Sequence, residues 1–297
     1  MLTPWGELTV RDAHVHFFSH GFFSLLTGGR DVREVAAELQ WDAPESEPEL
    51  LADRWVSELD RHGVTSAAII ASMPGDEDSV IRAIARHPER LHGQFLLNPL
   101  AEGAMERAKA AFDAGLRTAC LFPAMHRYSV ADERLEPLWP LAAGRNVFVH
   151  CGVLSVGVRK KLGLPSPFDM RYSNPLDLHN VALRHPSVRF VIPHFGAGFF
   201  REALMLADLC PNVYLDTSSS NSWTKYEPGT PDLEAVFRQA LTVAGPRRLL
   251  FGTDSSFFPR GWVQAVFAKQ TEALSLIGVN RADAAAILGE NLFSLQQ

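Results

Sequence analysis

The strongest constraint on this chain is a recurring piece of punctuation, a helix stop followed by a short apolar run. Amphipathic stretches end at Arg61-His62-Gly63, Arg86-His87-Pro88, Ala114-Gly115, Ala143-Gly144, Arg184-His185-Pro186, Cys210-Pro211 and Gly245-Pro246. After them come Thr65 to Ala71, Leu91 to Leu97, Leu116 to Phe122, Asn146 to His150, Val188 to His194, Asn212 to Asp216 and Arg248 to Asp254. Gly tolerates the left-handed turn that ends a helix and Pro cannot continue one, so each stop is physical. The runs between stops, rich in Val, Ile, Leu and Phe, read as buried strands. With an opening strand at Leu8 to His14, eight strands alternate with helices.

Continuous apolar strands separated by helices imply a parallel sheet covered on its other face. An open doubly wound sheet competes with a closed barrel. No GxGxxG follows the first strand, which counts against the dinucleotide-binding version of the open sheet. Eight units in 297 residues suit a (β/α)₈ TIM barrel, expected as a single domain over residues 1–297. Two segments are too long for ordinary connections: Phe17 to Pro48 after the first strand, expected as an inserted lid, and Gly152 to Ser173 after the fifth. Both would lie over the catalytic face.

A formal charge of −6 argues against a nucleic-acid partner, which needs a basic face. No apolar run approaches the ~20 residues of a membrane span, and Met1 to Val10 lack the features of a signal peptide. Cys120, Cys151 and Cys210 are an odd number without CxxC spacing, as suits a reducing compartment. A cytoplasmic protein with a small-molecule substrate is expected.

The chemistry is concentrated at strand ends. Asp12-Ala13-His14-Val15-His16 places two imidazoles two residues apart, on one face of a strand. His150, His194 and Asp254 each end an otherwise apolar run, and such groups are costly to bury without a partner. In a barrel all five converge on the rim where active sites lie. Imidazole suits zinc, iron or manganese better than calcium or magnesium.

These residues resemble a known family. DxHxH, VFVHCG, VIPHFGAG, LLFGTD and Gly289-Glu290-Asn291 are similar to motifs of the amidohydrolase superfamily. Within it, the likeness is to the amidohydrolase 2 branch related to aminocarboxymuconate semialdehyde decarboxylase, over Asp12 to Phe293. The resemblance implies that His14, His16, His150 and Asp254 hold a divalent metal and that His194 acts on substrate or water. It also implies members that often pair as homodimers. Many two-metal members carry a carbamylated lysine at the end of strand four; Cys120 stands there in this chain. That implies one ion, zinc by default, with manganese or iron as alternatives.

A metal-activated water would hydrolyse an amide, ester or lactone carbonyl, with Asp254 as the proton carrier and His194 polarising the carbonyl. The same centre would serve a non-oxidative decarboxylase of an aromatic or unsaturated acid. A phosphoesterase and a non-catalytic metal-binding module are the remaining alternatives. Substrate-reading residues are expected on the loops after the strands, with Arg127, Arg171, Tyr172, Arg201, Trp223 and Trp262 as candidates, the arginines for a carboxylate. Gly196-Ala197-Gly198 reads either as an anion-binding turn before a helix or as a plain turn. Asp216 is placed beside the pocket. His62, His87 and His185 sit at helix ends and read as structural, and nothing draws His20, His92, His126 or His179 into the metal group.

Metal analysis should find about one ion per chain, lost in His14→Ala; about two would restore a two-metal centre.

Overall fold

The structure, a computed structural model, describes residues 1–297. A short antiparallel hairpin, β1 (Leu2–Thr3) and β2 (Gly6–Glu7), precedes the barrel. Eight parallel strands follow in chain order: β3 (Arg11–Phe17), β4 (Ser66–Ala71), β5 (Leu91–Leu97), β6 (Thr118–Leu121), β7 (Asn146–Val149), β8 (Arg189–Ile192), β9 (Val213–Asp216) and β10 (Leu249–Leu250). Each pairs with the next, so the sheet runs from β3 to β10 without a crossover. Helices between strands cover the outside, among them Pro48–His62, Glu77–Arg86, Ala104–Asp113, Phe200–Leu209, Leu233–Val243 and Gln264–Leu276. This is the TIM barrel that the alternating pattern predicts.

Side chains alternate along each strand between two apolar regions. Val147, Val149, Phe190 and Ile192 face the helices, whereas Phe148, Val191, Cys120 and Leu250 fill the barrel interior. Leu292 and Leu295, on the last helix (Asn291–Gln296), close the floor, and Asn146 Nδ2 ties that helix to the barrel through the Leu295 carbonyl at 3.1 Å. The functional rim is therefore the opposite, C-terminal end of the strands.

The sheet ladder does not include the closure between β3 and β10. The seam is made by separate hydrogen bonds: Ala13 N to Phe251 O at 2.8 Å, Asp254 N to His14 O at 2.9 Å and His16 N to Ser255 O at 2.7 Å. Fully buried Asp12 reinforces it. Its carboxylate accepts from Thr253 N (3.1 Å), Thr253 Oγ1 (2.5 Å), Trp262 Nε1 (2.8 Å) and His14 N (2.9 Å). Burial raises the Asp12 carboxyl to about 6, against the opposing effect of those four donors.

Two boundaries differ from the expected ones. The first barrel strand begins three residues later than Leu8 and runs to Phe17, because its ladder with β4 starts at Arg11↔Ser66. The segment from Phe17 to Pro48 is not an irregular loop. It holds helices His20–Thr27 and Val32–Leu39, capped by the Ser19 and Asp31 side chains. Phe22, Phe23, Leu26, Val32, Val35 and Leu39 pack into a small separate core, which Val158 of the other long loop completes. No helix is long and apolar enough to cross a membrane.

Because Asp12 satisfies four donors at the seam, Asp12→Ala should leave them buried and unpaired. We expect a loss of about 3 kcal/mol or more, read as a lower urea midpoint with an unchanged slope.

Candidate metal centre

The geometry at the rim begins with a fault in β3. Between Asp12 and Val15 the register with β4 shifts by one residue, a β-bulge. A bulge re-aims side chains locally, and here His14 and His16 both project into the barrel mouth, their ring centroids 5.3 Å apart. His150 follows the last residue of β7, and His194 lies just beyond β8 in a short turn, Pro193–Gly196. His194 and Asp254 have left-handed backbones, φ 56° and 60°. Non-glycine residues seldom adopt that conformation, and it recurs where structure imposes a functional side-chain direction.

Two sets of donor atoms come together. His14, His150 and His194 form one, and His14, His16 and Asp254 the other, with ligand atoms in each set within 4.8 Å of one another. His14 belongs to both, and ~2 Å metal–ligand bonds require this kind of crowding. Accessibility grades across the cluster: His14 is fully buried, the His16 side chain is 20% exposed and that of Asp254 34%. The open side of the centre is thus the Asp254 side.

Hydrogen bonds around the cluster decide which ring nitrogen faces inward. His14 Nδ1 lies 2.6 Å from Asp216 Oδ2, so Nδ1–H donates outward and Nε2 is left bare. Ser72 Oγ donates to Ile70 O at 3.0 Å, so at 2.7 Å it accepts from His16 Nδ1–H. Ser218 Oγ donates to Asp216 Oδ2 at 2.9 Å and accepts from His194 Nδ1–H at 2.8 Å. Three imidazoles therefore present Nε2 lone pairs to one volume, an orientation that metal-binding histidines owe to such outer partners.

The residues fit a cation. His14 Nε2 and both ring nitrogens of His150 are buried without a hydrogen-bond partner, a situation native structures avoid unless something else fills it. The bare His16 Nε2 stands 3.2 Å from Asp254 Oδ1, lone pair against lone pair when the ring is neutral, and a cation removes that conflict. Burial, reinforced by the neighbouring His14, His194 and His16, holds His150 well below the usual imidazole range. Burial likewise lowers His194, against the pull of Asp254. Burial would raise Asp254, but the close imidazoles of His16, His194 and His14 outweigh it and hold the carboxyl well below its usual range.

Cys120, at the position of the absent lysine, is fully buried in the barrel interior. Its Sγ lies 3.4 Å from Gln94 Oε1, and Gln94 Nε2 donates to Ala13 O at 2.8 Å. Burial pushes its thiol up, so it offers no thiolate. Cys151 faces the helices, as expected from its place beside His150.

Above the cluster opens a cavity of about 670 Å³, lined on the cluster side by His16, His150, His194 and Asp254. Its outer walls come from the helical segment after β3 (Phe18, Phe22, Leu26, Trp41), from the loop after β7 (Leu154, Arg159, Lys161) and from the loop after β10 (Phe257, Arg260). The substrate-reading residues expected from sequence are elsewhere. Arg171 is spent on Asp169 at 2.5 Å with its side chain 84% exposed, and Arg201 pairs with Glu202 at 2.6 Å, 79% exposed. Trp223 is core, packed against Phe195 and Phe200, its Nε1 donating to Asn221 Oδ1 at 2.9 Å. Tyr172 and Arg127 do not line the cavity either, Arg127 being held by the Pro167 carbonyl at 2.9 Å. Trp262 serves Asp12.

Gly196-Ala197-Gly198 is a plain turn: the Ala197 carbonyl accepts from Val153 N at 2.8 Å, and Gly152 packs so close that a Cβ there would lie 2.1 Å from Gly196 O. Of the residues set aside, His126 does line the cavity. Sequence reasoning missed Ser72 and Ser218, whose only signal was a position just past a strand end, and Arg159, Lys161 and Arg260. For the first two cations the run Arg159-Lys160-Lys161 in a long rim loop was the available clue.

At its C-terminal rim the TIM barrel thus gathers four imidazoles and a carboxylate, residue types that can hold a divalent metal. The chain matches the amidohydrolase family over residues 12–291 and belongs to that family. Protein fluG of Emericella nidulans is 36% identical over 87 residues, 29% of this chain, and the match spans only 10% of that longer protein. Among solved structures, an uncharacterized TIM-barrel protein of Bordetella bronchiseptica superposes with a TM-score of 0.67 at 21% identity, covering 97% of this chain and 98% of its own. A probable 2-pyrone-4,6-dicarboxylic acid hydrolase of Acinetobacter baumannii gives 0.60 at 15% identity, covering 97% and 99%. An amidohydrolase of Burkholderia multivorans with bound zinc gives 0.59 at 16%, also covering 97% and 99%. At these identities the structural likeness is one of fold.

Because Ser218 orients His194 directly and His14 through Asp216, Ser218→Ala should weaken zinc binding by about 10- to 100-fold while leaving the melting temperature within a few degrees. Competition with a chromogenic chelator measures the first quantity and circular dichroism the second.

Proposed function

We propose that this chain is a metal-dependent hydrolase that cleaves an amide, ester or lactone carbonyl of a small molecule held in the rim cavity. The observation that carries the reading is the set of bare, buried imidazole nitrogens facing a partly exposed carboxylate at the cavity floor. His14, His16, His150 and Asp254 would hold the ion, with zinc the best match to an imidazole-rich donor set. A divalent ion so held lowers the pKa of water from about 15.7 to near 7. The amidohydrolase family, a dicarboxylic acid hydrolase and a zinc-containing member among the neighbours all support the proposal.

The protein's own groups have separate tasks. Asp254, more exposed than His14 and His16, takes a proton from the attacking water and returns it to the leaving group. Its low pKa keeps it ionised at the start of the cycle. His194, whose Nδ1–H is committed to Ser218, points Nε2 inward at the substrate side. In this reading it receives a hydrogen bond from the water or, once protonated, donates one to the carbonyl oxygen. The aromatic wall of Phe18, Phe22 and Trp41 excludes bulk water and seats the apolar part of the substrate.

The test is turnover of a panel of carboxylic esters, lactones and amides by zinc-loaded protein. Asp254→Asn should lower kcat by about 10²-fold or more, and chelation should abolish turnover until zinc is restored. Release of CO₂ from aromatic or unsaturated acids, with no hydrolysis across the panel, would replace this reading by a decarboxylase.

A further inference from the structure

The cavity carries more cations than acids. Arg159, Lys161 and Arg260 all line it, and Asp254 is the one carboxylate among the lining residues. None of the three makes an ion pair, whereas arginines on the outer surface commonly do: Arg82 with Glu49, Arg134 with Asp132, Arg201 with Glu202.

These two guanidiniums are nevertheless held in place, by neutral partners. Arg260 Nη2 donates to Ser256 Oγ at 2.8 Å and to the Asp254 carbonyl at 3.3 Å, and its head lies 4.5 Å from the centre of the Phe257 ring. Arg159 directs Nε and Nη2 at a single acceptor, Pro165 O, at 3.0 and 2.6 Å. A guanidinium has five N–H donors, so each keeps free donors while its orientation is fixed. Such preorganised, unneutralised forks match a carboxylate. They rise from loops after β7 and β10, three strands apart around the rim, so they can approach a molecule from different sides. The same cavity wall carries nearly parallel aromatic rings: Trp41 on Phe257 at 3.9 Å and 10°, and Phe18 on Phe22 at 4.1 Å and 5°. Lys161 Nζ stands 5.4 Å from the Trp41 ring.

We infer that the substrate is a carboxylate-bearing molecule with a flat apolar body, and that Arg260 and Arg159 are the residues that read its anionic groups. The inference rests on the hydrolase reading for the reaction, but its physical content is anion selectivity by named side chains. Arg260 hydrogen-bonds the backbone of Asp254, so it addresses an anionic group close to the reacting carbonyl. Arg159 addresses a second one. A neutral analogue of the same shape leaves both guanidiniums unpaired and is rejected on that account.

Calorimetric titration separates the possibilities, with phthalate as a flat dianion, benzoate as a monoanion and phthalamide as the neutral shape match. The proteins are the wild type, Arg260→Gln, Arg159→Gln and the two Lys replacements, each first checked for folding by thermal melting. Phthalate should bind at least about tenfold more tightly than phthalamide, with benzoate between. Each Gln variant should weaken phthalate by about tenfold and leave phthalamide unchanged; the Lys variants, which keep charge but lose the fork, should fall between. The arginine dependence should persist after chelation of the metal. Equal binding of phthalate and phthalamide, no binding of any of the three, or Gln variants as tight as the wild type would overturn the inference. Loss of the arginine dependence on chelation would do the same, because the anion would then be seated on the ion. Absence of turnover with the selectivity intact would instead count against the hydrolase reading alone.

Discussion

Barrel closure between β3 and β10 is the interaction on which the rim depends. The two strands are joined by a few backbone bonds and by Asp12, which gathers Thr253, Trp262 and the His14 amide around one buried carboxylate. His14, His16 and Asp254 stand directly above that join. A displaced β10 would carry Asp254 away from His16, so the carboxylate below the rim sets the spacing of the donors on it. The bulge at Ala13–His14 has the same logic: the strand gives up one regular pairing and gains two inward imidazoles.

Around the donors lies a ring of groups that hold their outer ring nitrogens. Asp216, Ser218 and Ser72 take the Nδ1 protons of His14, His194 and His16. Without them each imidazole could turn or change tautomer. With them, the lone pairs converge before any ion arrives, which reduces the reorganisation that binding requires. His150 is the exception. It has no such partner and is fixed by its stack on Phe122, 3.8 Å between centroids.

The barrel and the centre were legible in the sequence for one reason. A strand buried on both faces is apolar throughout, so a polar residue at its end stands out, and His150, His194, Asp216 and Asp254 are all such residues. Loops carry no comparable signal. Arg171 shares the long segment after β7 with Arg159, and Arg201 opens the helix after β8, yet nothing in the local sequence separates them from Arg159 and Arg260 except the acids Asp169 and Glu202, which claim the first two. Periodicity does not say where a loop side chain points. Trp262 was misread because the partner that holds its indole, Asp12, is 250 residues away in sequence. The segment from Phe17 to Pro48 reads in the sequence only as an overlong connection because its helices are eight residues each, too short to establish a period.

Those two short helices have a core of their own, separate from the barrel and shared with the loop after β7 through Val158. Apolar contacts that are grouped apart can be broken apart. The interior of this unit is a handful of Phe, Leu and Val side chains, packed independently of the barrel. The two long rim segments share that packing and both wall the cavity, so a substitution inside it reshapes two sides of the cavity while the eight strands and their donors stay where they are.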